Sequence, residues 1–302
     1  MTERMGMTEY EGLIVKALGG FYYVRTQAGL FACRARGLFR KEEISPYVGD
    51  RVTVEPTEED RGFITAISPR KNHLIRPPVA NIDQLMMVVS TTQPKPNYLV
   101  LDKLIAVAEY KEITPVLVVT KEDLEEGQEI AEIYRLAGYE VYTVSSTLGT
   151  GIEAVRKALK GKITAFTGNT GVGKSSLLNA LQPDLELATA HISQKLGRGR
   201  HTTRHVELYE VAGGYVADTP GFSAVELDSF EIIFKDQLQY CFKEFEEYIP
   251  SCRFTGCSHT KEKGCAVLQA AQEGKIAPSR LESYHAMYED AKKLNEWEHP
   301  SR

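Results

Sequence analysis

The feature that most narrows the fold lies at residues 163–181. The apolar run Ile163-Thr164-Ala165-Phe166 leads into Gly168-Asn169-Thr170-Gly171-Val172-Gly173-Lys174-Ser175, and a helical pattern follows to Leu181. The loop fits G-x-x-x-x-G-K-[ST], in the strand–loop–helix setting where that pattern cradles phosphates. Its glycines let backbone N–H groups approach phosphate oxygens, and the helix N-terminus favours their negative charge. On this reading Lys174 reaches the β- and γ-phosphates, and Ser175, with Ser176 behind it, lies where Mg²⁺ is ligated. A strand that ends in such a loop belongs to a parallel sheet.

The surrounding chain agrees. Apolar runs at 82–89, 114–119, 141–144 and 163–166 alternate with helical patterns at 98–110, about 124–136, 152–159 and 174–181. This alternation predicts an α/β region with a parallel sheet covered on both faces. Residues 206–211 and 215–217, separated by Gly213-Gly214, read as a hairpin. Before the α/β region, 1–72 holds short β-rich runs at 12–15, 21–24, 30–33 and 51–54, broken by glycines, which predicts a small β-barrel. Three prolines in 69–78 suggest a linker. From 228 onward the chain reads as helical: Phe230, Ile233, Phe234, Leu238, Phe242 and Phe245 recur at helical spacing, with Cys241 as core among them. Ser279 and Glu282 have capping-box spacing before a last helix through Tyr284, Met287 and Leu294. The expected domains are 1–72, 73–227 and 228–302.

Three further segments bear on the nucleotide. Thr120-Lys121-Glu122-Asp123 follows a buried strand and fits the guanine-reading [NT]-K-x-D pattern, with Thr120 where Asn is commoner. The Asp123 carboxylate would accept from both N–H donors of the guanine edge, a pair that adenine lacks, and a wrong base would leave a buried charge unpaired. Ser145-Ser146, after the next strand, stands where a short loop supports the base. Asp218-Thr219-Pro220-Gly221 supplies D-x-x-G at a strand end, with Asp218 holding Mg²⁺ through water and the Gly221 N–H sensing the γ-phosphate. Thr202 and Thr203, in the loop 197–204, are candidates for a switch threonine on Mg²⁺, Thr203 being preferred. The guanine motif precedes the phosphate loop, the reverse of the ordinary order, so the domain reads as circularly permuted.

Cys252-x₄-Cys257-x-His259-x₅-Cys265 gathers three sulfurs and an imidazole within fourteen positions. Four soft or borderline ligands and no spare carboxylate predict one closed, structural Zn²⁺ site. A disulfide reading leaves one of the three unpaired, and Cys33, far away in the β-region, reads as core. The net charge of −5 and 25% charged residues are ordinary globular values, and no apolar run approaches the ~20 residues of a membrane span. Glu3, Arg4 and Glu9 break any signal-peptide pattern in 1–10, so a soluble cytoplasmic chain with no membrane partner is expected.

The permuted motif order, Gly199-Arg200-His201-Thr202-Thr203 and the Cys252…Cys265 cluster closely resemble the ribosome small-subunit-dependent GTPase RsgA (YjeQ/YloQ) family over nearly the whole chain. The resemblance implies an N-terminal OB-fold β-barrel, a circularly permuted α/β P-loop GTPase domain and a C-terminal helical zinc-binding domain. It implies binding of GTP and GDP with Mg²⁺, and hydrolysis stimulated by the small ribosomal subunit during late assembly. A monomer that contacts rRNA is expected. Arg25, Arg34, Arg36, Arg40 and Lys41, interleaved with Phe31 and Phe39, fit equally a solvated strand face and an RNA surface. The resemblance favours RNA. Lys195, Arg198, Arg200 and Arg204 form a second basic cluster. Phe222 stands where many GTPases place a water-orienting Gln, which makes His201 the catalytic candidate. A GTPase acting on another RNA, and an RNA-binding module whose nucleotide is never turned over, are the alternatives.

Overall fold

Five short strands open the chain: β1 (Tyr10–Leu18), β2 (Phe21–Thr26), β3 (Gly29–Ala35), β4 (Arg51–Glu58) and β5 (Arg61–Ile67), with buried and exposed positions alternating most clearly in β3 and β5. In this computed structural model, which describes residues 9–37, 39, 44–58, 60–75, 78–182, 206–218 and 232–294, they run in the order β1-β2-β3-β5-β4. β4 returns to pair with β1, closing a five-stranded OB-type barrel. Ile14, Val24, Cys33, Val54 and Ile64 fill it with no exposed surface, so Cys33 is core as expected. β5 was not among the strands the sequence suggested. Gly62 and the single charge of Arg61 interrupt its apolar pattern, and its pairing with β3 on one side and β4 on the other supplies what propensity does not.

The proline-bearing stretch is anchored to the barrel. The buried Asp50 takes Arg70 bidentately at 2.8 Å to each oxygen, with the guanidinium 4.1 Å over the Tyr47 ring. Beyond it, β6 (His73–Leu74) and β7 (Val79–Ala80) form a two-stranded ribbon.

The α/β elements follow in chain order: β8 (Gln84–Ser90), α1 (Tyr98–Tyr110), β9 (Thr114–Thr120), α2 (Gln128–Leu136), β10 (Glu140–Thr143), α3 (Ile152–Leu159), β11 (Ile163–Thr167) and α4 (Lys174–Leu181). β8, β9 and β10 are parallel neighbours, and every residue of β8 is buried, as for a strand covered on both faces. α2 begins at Gln128 and not near 124, because Glu122 turns back to accept the Gly127 N–H at 3.0 Å. The hairpin of β12 (Glu207–Val211) and β13 (Gly214–Asp218) forms as read, with β13 parallel to β11.

The described parts of the chain divide into two compact units. One draws on Met1–Asp83, Leu159–Ala165 and Leu187–Gly221, and the other on Gln84–Ala158, Phe166–Glu186 and Phe222–Arg302. The second includes α5 (Lys235–Leu238), α6 (Ala266–Gln272) and α7 (Pro278–Ala291). Between α5 and α6 the helical period of the aromatic residues breaks into three 3₁₀ turns, with Phe242 extended at φ −115° and ψ 90°. The break lets Phe242 and Phe245 both meet Tyr284, at centroid distances of 5.2 and 4.9 Å, so tertiary packing overrides local period. Cys241 is buried there, as expected for a core thiol. α7 starts on Pro278 at its first turn with Ala277 as cap, so the Ser279/Glu282 spacing is not its capping box.

Candidate nucleotide site and metal centre

The phosphate loop, 168–173, leaves β11 and enters α4. Gly168 at φ 153° could not be another residue: a Cβ there would lie 2.5 Å from the Val88 carbonyl oxygen. Gly173 turns left-handed, φ 92°, immediately before the helix. Asn169, Thr170, Gly171, Ser175 and Ser176 are exposed, while Val172 is buried beneath the loop. Lys174 folds back so that its Nζ donates to the Gly168 carbonyl at 3.2 Å.

The end of β9 meets this loop directly. Thr120, 2% exposed, points its hydroxyl at the Val172 carbonyl and at the Val89 carbonyl, the latter at 3.0 Å. The residue standing where Asn is commoner thus contacts the phosphate loop. Lys121, at φ 63°, donates from Nζ to the Gln93 carbonyl at 2.8 Å, and its own carbonyl accepts the Thr91 hydroxyl at 3.0 Å. The Glu122 N–H binds the Val144 carbonyl at 3.2 Å, which draws the loop after β9 to the loop after β10. Ser145 is buried there, its Oγ accepting the Leu148 N–H at 3.1 Å; Ser146 is half-buried and Asp123 is exposed. Residues 120–123, 145–146 and 168–176 therefore lie together on one unit. Thr91 and Gln93, which brace Lys121, were not singled out from the sequence. Their only signal was a polar triplet, Ser90-Thr91-Thr92, at the end of an apolar strand.

Asp218 closes β13, in the other unit. His201, Thr202, Thr203, Gly221 and Phe222 lie outside the described residues, as do Arg40, Lys41 and the 195–204 basic cluster. On the barrel, Phe31 and Phe39 are both buried, at 5% and 7% exposure, so neither ring is available for base stacking. Phe31 sits on an inward position of β3, whereas Phe39 follows that strand, and Phe21, half-buried with the Arg34 guanidinium 4.6 Å over it, is an aromatic of β2 paired with a cation.

At the C-terminal end, Cys252, Cys257, His259 and Cys265 place one ligand atom each within 4.8 Å of all the others. His259 Nδ1 lies 3.6 Å from Cys252 Sγ and 3.3 Å from Cys265 Sγ, and those two sulfurs are 3.9 Å apart. Tetrahedral zinc with Zn–S bonds near 2.3 Å requires sulfurs about 3.8 Å apart, so the donor set is compatible with zinc. Gln239 Oε1, an obligate acceptor, lies 2.9 Å from His259 Nε2. It holds the imidazole proton on Nε2 and leaves the Nδ1 lone pair facing the sulfurs. Burial pushes the His259 pKa down, favouring that neutral form. Burial also pushes the Cys265 thiol up to about 12, so its thiolate needs a bound cation. Glu262 ties the intervening loop. Against the opposing effect of burial, the Ser258 hydroxyl and the Lys261 and Ser258 N–H groups pull its carboxyl down to about 2. Neither Gln239 nor Glu262 was marked by any motif.

Comparison with known proteins accounts for this combination. The RsgA GTPase family model matches residues 67–228, and the RsgA N-terminal domain model matches 11–64. The chain belongs to the RsgA GTPase family. Membership makes it a GTP-hydrolysing enzyme and implies GTP or GDP with Mg²⁺. A Geobacillus thermodenitrificans protein described as small ribosomal subunit biogenesis GTPase RsgA is 49% identical, covering 91% of this chain and 94% of its own. A Caldanaerobacter subterraneus protein of the same description is 46% identical, covering 95% and 97%. The crystal structure of YjeQ from Thermotoga maritima matches with TM-score 0.81 at 34% identity, over 95% of this chain and all of that one. That of YloQ, described as a circularly permuted GTPase, matches with TM-score 0.80 at 38% identity, over 97% and 98%. The family's permuted GTPase architecture thus agrees with the motif order read here. No described helix is long and apolar enough to cross a membrane.

Proposed function

We propose that this chain binds the immature small ribosomal subunit, hydrolyses GTP there and leaves, acting late in assembly. The observation that carries the nucleotide part is the contact of the Thr120–Asp123 segment with the phosphate loop through the Thr120 hydroxyl. The subunit part is supported by relatives of 46–49% identity that bear that description over nearly their whole length. In this reading Asp123 accepts from guanine, Ser145 and Ser146 support the base, and backbone N–H groups of 168–173 with Lys174 hold the phosphates. Ser175, Thr203 and Asp218 serve Mg²⁺, Gly221 senses the γ-phosphate, and His201 orients the attacking water in place of the absent Gln. One structural Zn²⁺ holds Cys252, Cys257, His259 and Cys265. The barrel of 1–72 and the metal-bearing 228–302, which precede and follow the GTPase domain in the chain, contact rRNA. The protein is a cytoplasmic monomer.

The test is multiple-turnover GTP hydrolysis by the full chain alone, with purified small subunits and with large subunits. Slow intrinsic turnover raised by small subunits alone is expected. Equal stimulation by both particles would point to another RNA, and no turnover under any condition would leave a nucleotide-stabilised binding module.

A further inference from the structure

Arg280 sits within α7 with no exposed surface and pairs in two directions. Its Nη1 lies 2.7 Å from Asp102 Oδ1 on α1, while Nε and Nη2 take the two oxygens of Glu244 at 2.6 and 3.0 Å. The guanidinium lies 4.5 Å over the Phe242 ring, and the Tyr134 hydroxyl on α2 donates to the same Asp102 oxygen at 3.0 Å. One side chain therefore joins the metal-bearing region to two helices of the GTPase α/β layer.

This is a poor arrangement for stability alone. Burial pushes the Asp102 carboxyl up even though Arg280 lies against it. Buried ionic triads of this kind are often replaced by apolar side chains without loss. What the cluster does provide is register, because a fork held on Glu244 and a single contact to Asp102 admit one seating of α7 on α1.

α1 leads directly to the nucleotide loops. Asp102 is five residues, about 7.5 Å along a helix axis, from Asn97, whose side chain caps α1 by accepting the Val100 N–H at 3.2 Å. The strap before that cap, residues 91–96, is held by the Thr91–Lys121 and Lys121–Gln93 bonds. Pro94 in the strap comes within 3.6 Å of the position a Cβ would take on Gly171. A shift of α1 therefore displaces a segment that braces Lys121 and lies beside the phosphate loop.

We infer that Arg280 is a positioning residue that couples the metal-bearing region to the nucleotide site by fixing α1 and the 91–96 strap. The inference rests on the nucleotide reading above. Coupling between binding sites is reciprocal, so nucleotide should change zinc affinity by the factor by which zinc changes nucleotide affinity. The measurement is the apparent zinc Kd of the full chain, by competition with a chromophoric chelator, without nucleotide and with saturating GDP. A change of about fivefold or more is expected. Arg280→Met alone strands two buried carboxylates. The informative variant is therefore Asp102→Leu/Glu244→Leu/Arg280→Met with Tyr134→Phe, which removes every charge of the cluster together. It should retain one zinc per chain, while its zinc Kd becomes the same with and without GDP. If that variant does not fold, Arg280→Lys, which loses the fork on Glu244, should show a reduced GDP effect. A wild-type zinc Kd indifferent to GDP, or an undiminished effect in the variants, overturns the inference. Failure of the wild type to bind GDP at all would instead overturn the nucleotide reading itself.

Discussion

Thr120→Val tests the junction on which the nucleotide site depends. Valine matches threonine in shape, so no cavity opens, and only the hydroxyl is lost. That hydroxyl, with a single proton to donate, lies against both the Val89 and the Val172 carbonyls, in a side chain 2% exposed. An unsatisfied buried acceptor costs about 1–3 kcal/mol. The Val89 carbonyl belongs to a paired strand, so most of the loss falls on Val172, within the phosphate loop. If about 1.4 kcal/mol of it opposes the nucleotide-bound loop, GDP affinity falls about tenfold. Titration with a fluorescent GDP analogue measures this, with zinc content as an internal control that should not change. Thr120→Ser keeps the hydroxyl and should retain most of the affinity. A Thr120→Val protein that binds GDP within twofold of wild type would show that the hydroxyl does not brace the loop, and the argument from it would fail.

Asp123→Asn should weaken GTP binding and admit xanthine nucleotides, because the amide presents a donor to the base; unchanged GTP affinity in direct titration would remove the guanine assignment. Gly168→Ala should abolish GDP binding, since its Cβ would lie 2.5 Å from the Val88 carbonyl oxygen at φ 153°; retained binding by calorimetry would contradict the geometry. Cys257→Ala should release zinc and destabilise residues beyond about 250, as closed zinc sites contribute folding energy directly. Metal analysis and limited proteolysis would show it, and the absence of zinc from freshly purified wild type would refute it. His201→Ala should keep nucleotide affinity but lose most subunit-stimulated turnover, as expected for a group acting only in the transition state, whereas Phe222→Ala should not. Wild-type turnover by His201→Ala at saturating small subunits would end the catalytic assignment.

Chain-local features were legible in the sequence. The phosphate loop needs only a strand, eight consecutive residues and a helix, all covalent neighbours. The candidate metal ligands fall within fourteen positions, where a short loop can bring them together without help from distant packing. The α/β alternation and the permuted order of motifs are likewise properties of the chain read in one direction. Misreadings arose where packing competed with local pattern. Phe31 and Phe39 are both buried, and the aromatic series before α6 broke into 3₁₀ turns around Tyr284.

What only the tertiary structure decided is who supports whom. Thr120 and Val172 are 52 positions apart, His259 and Gln239 are 20 apart, and Arg280 and Asp102 are 178 apart. None of these pairs has a spacing rule, because a hydrogen bond depends on distance and direction in space, and a chain of this length can place many residues at any given point. Motifs survive in sequence when backbone geometry alone fixes their separation. The contacts that orient them are set by how helices and strands pack, and so appear only once the chain is folded.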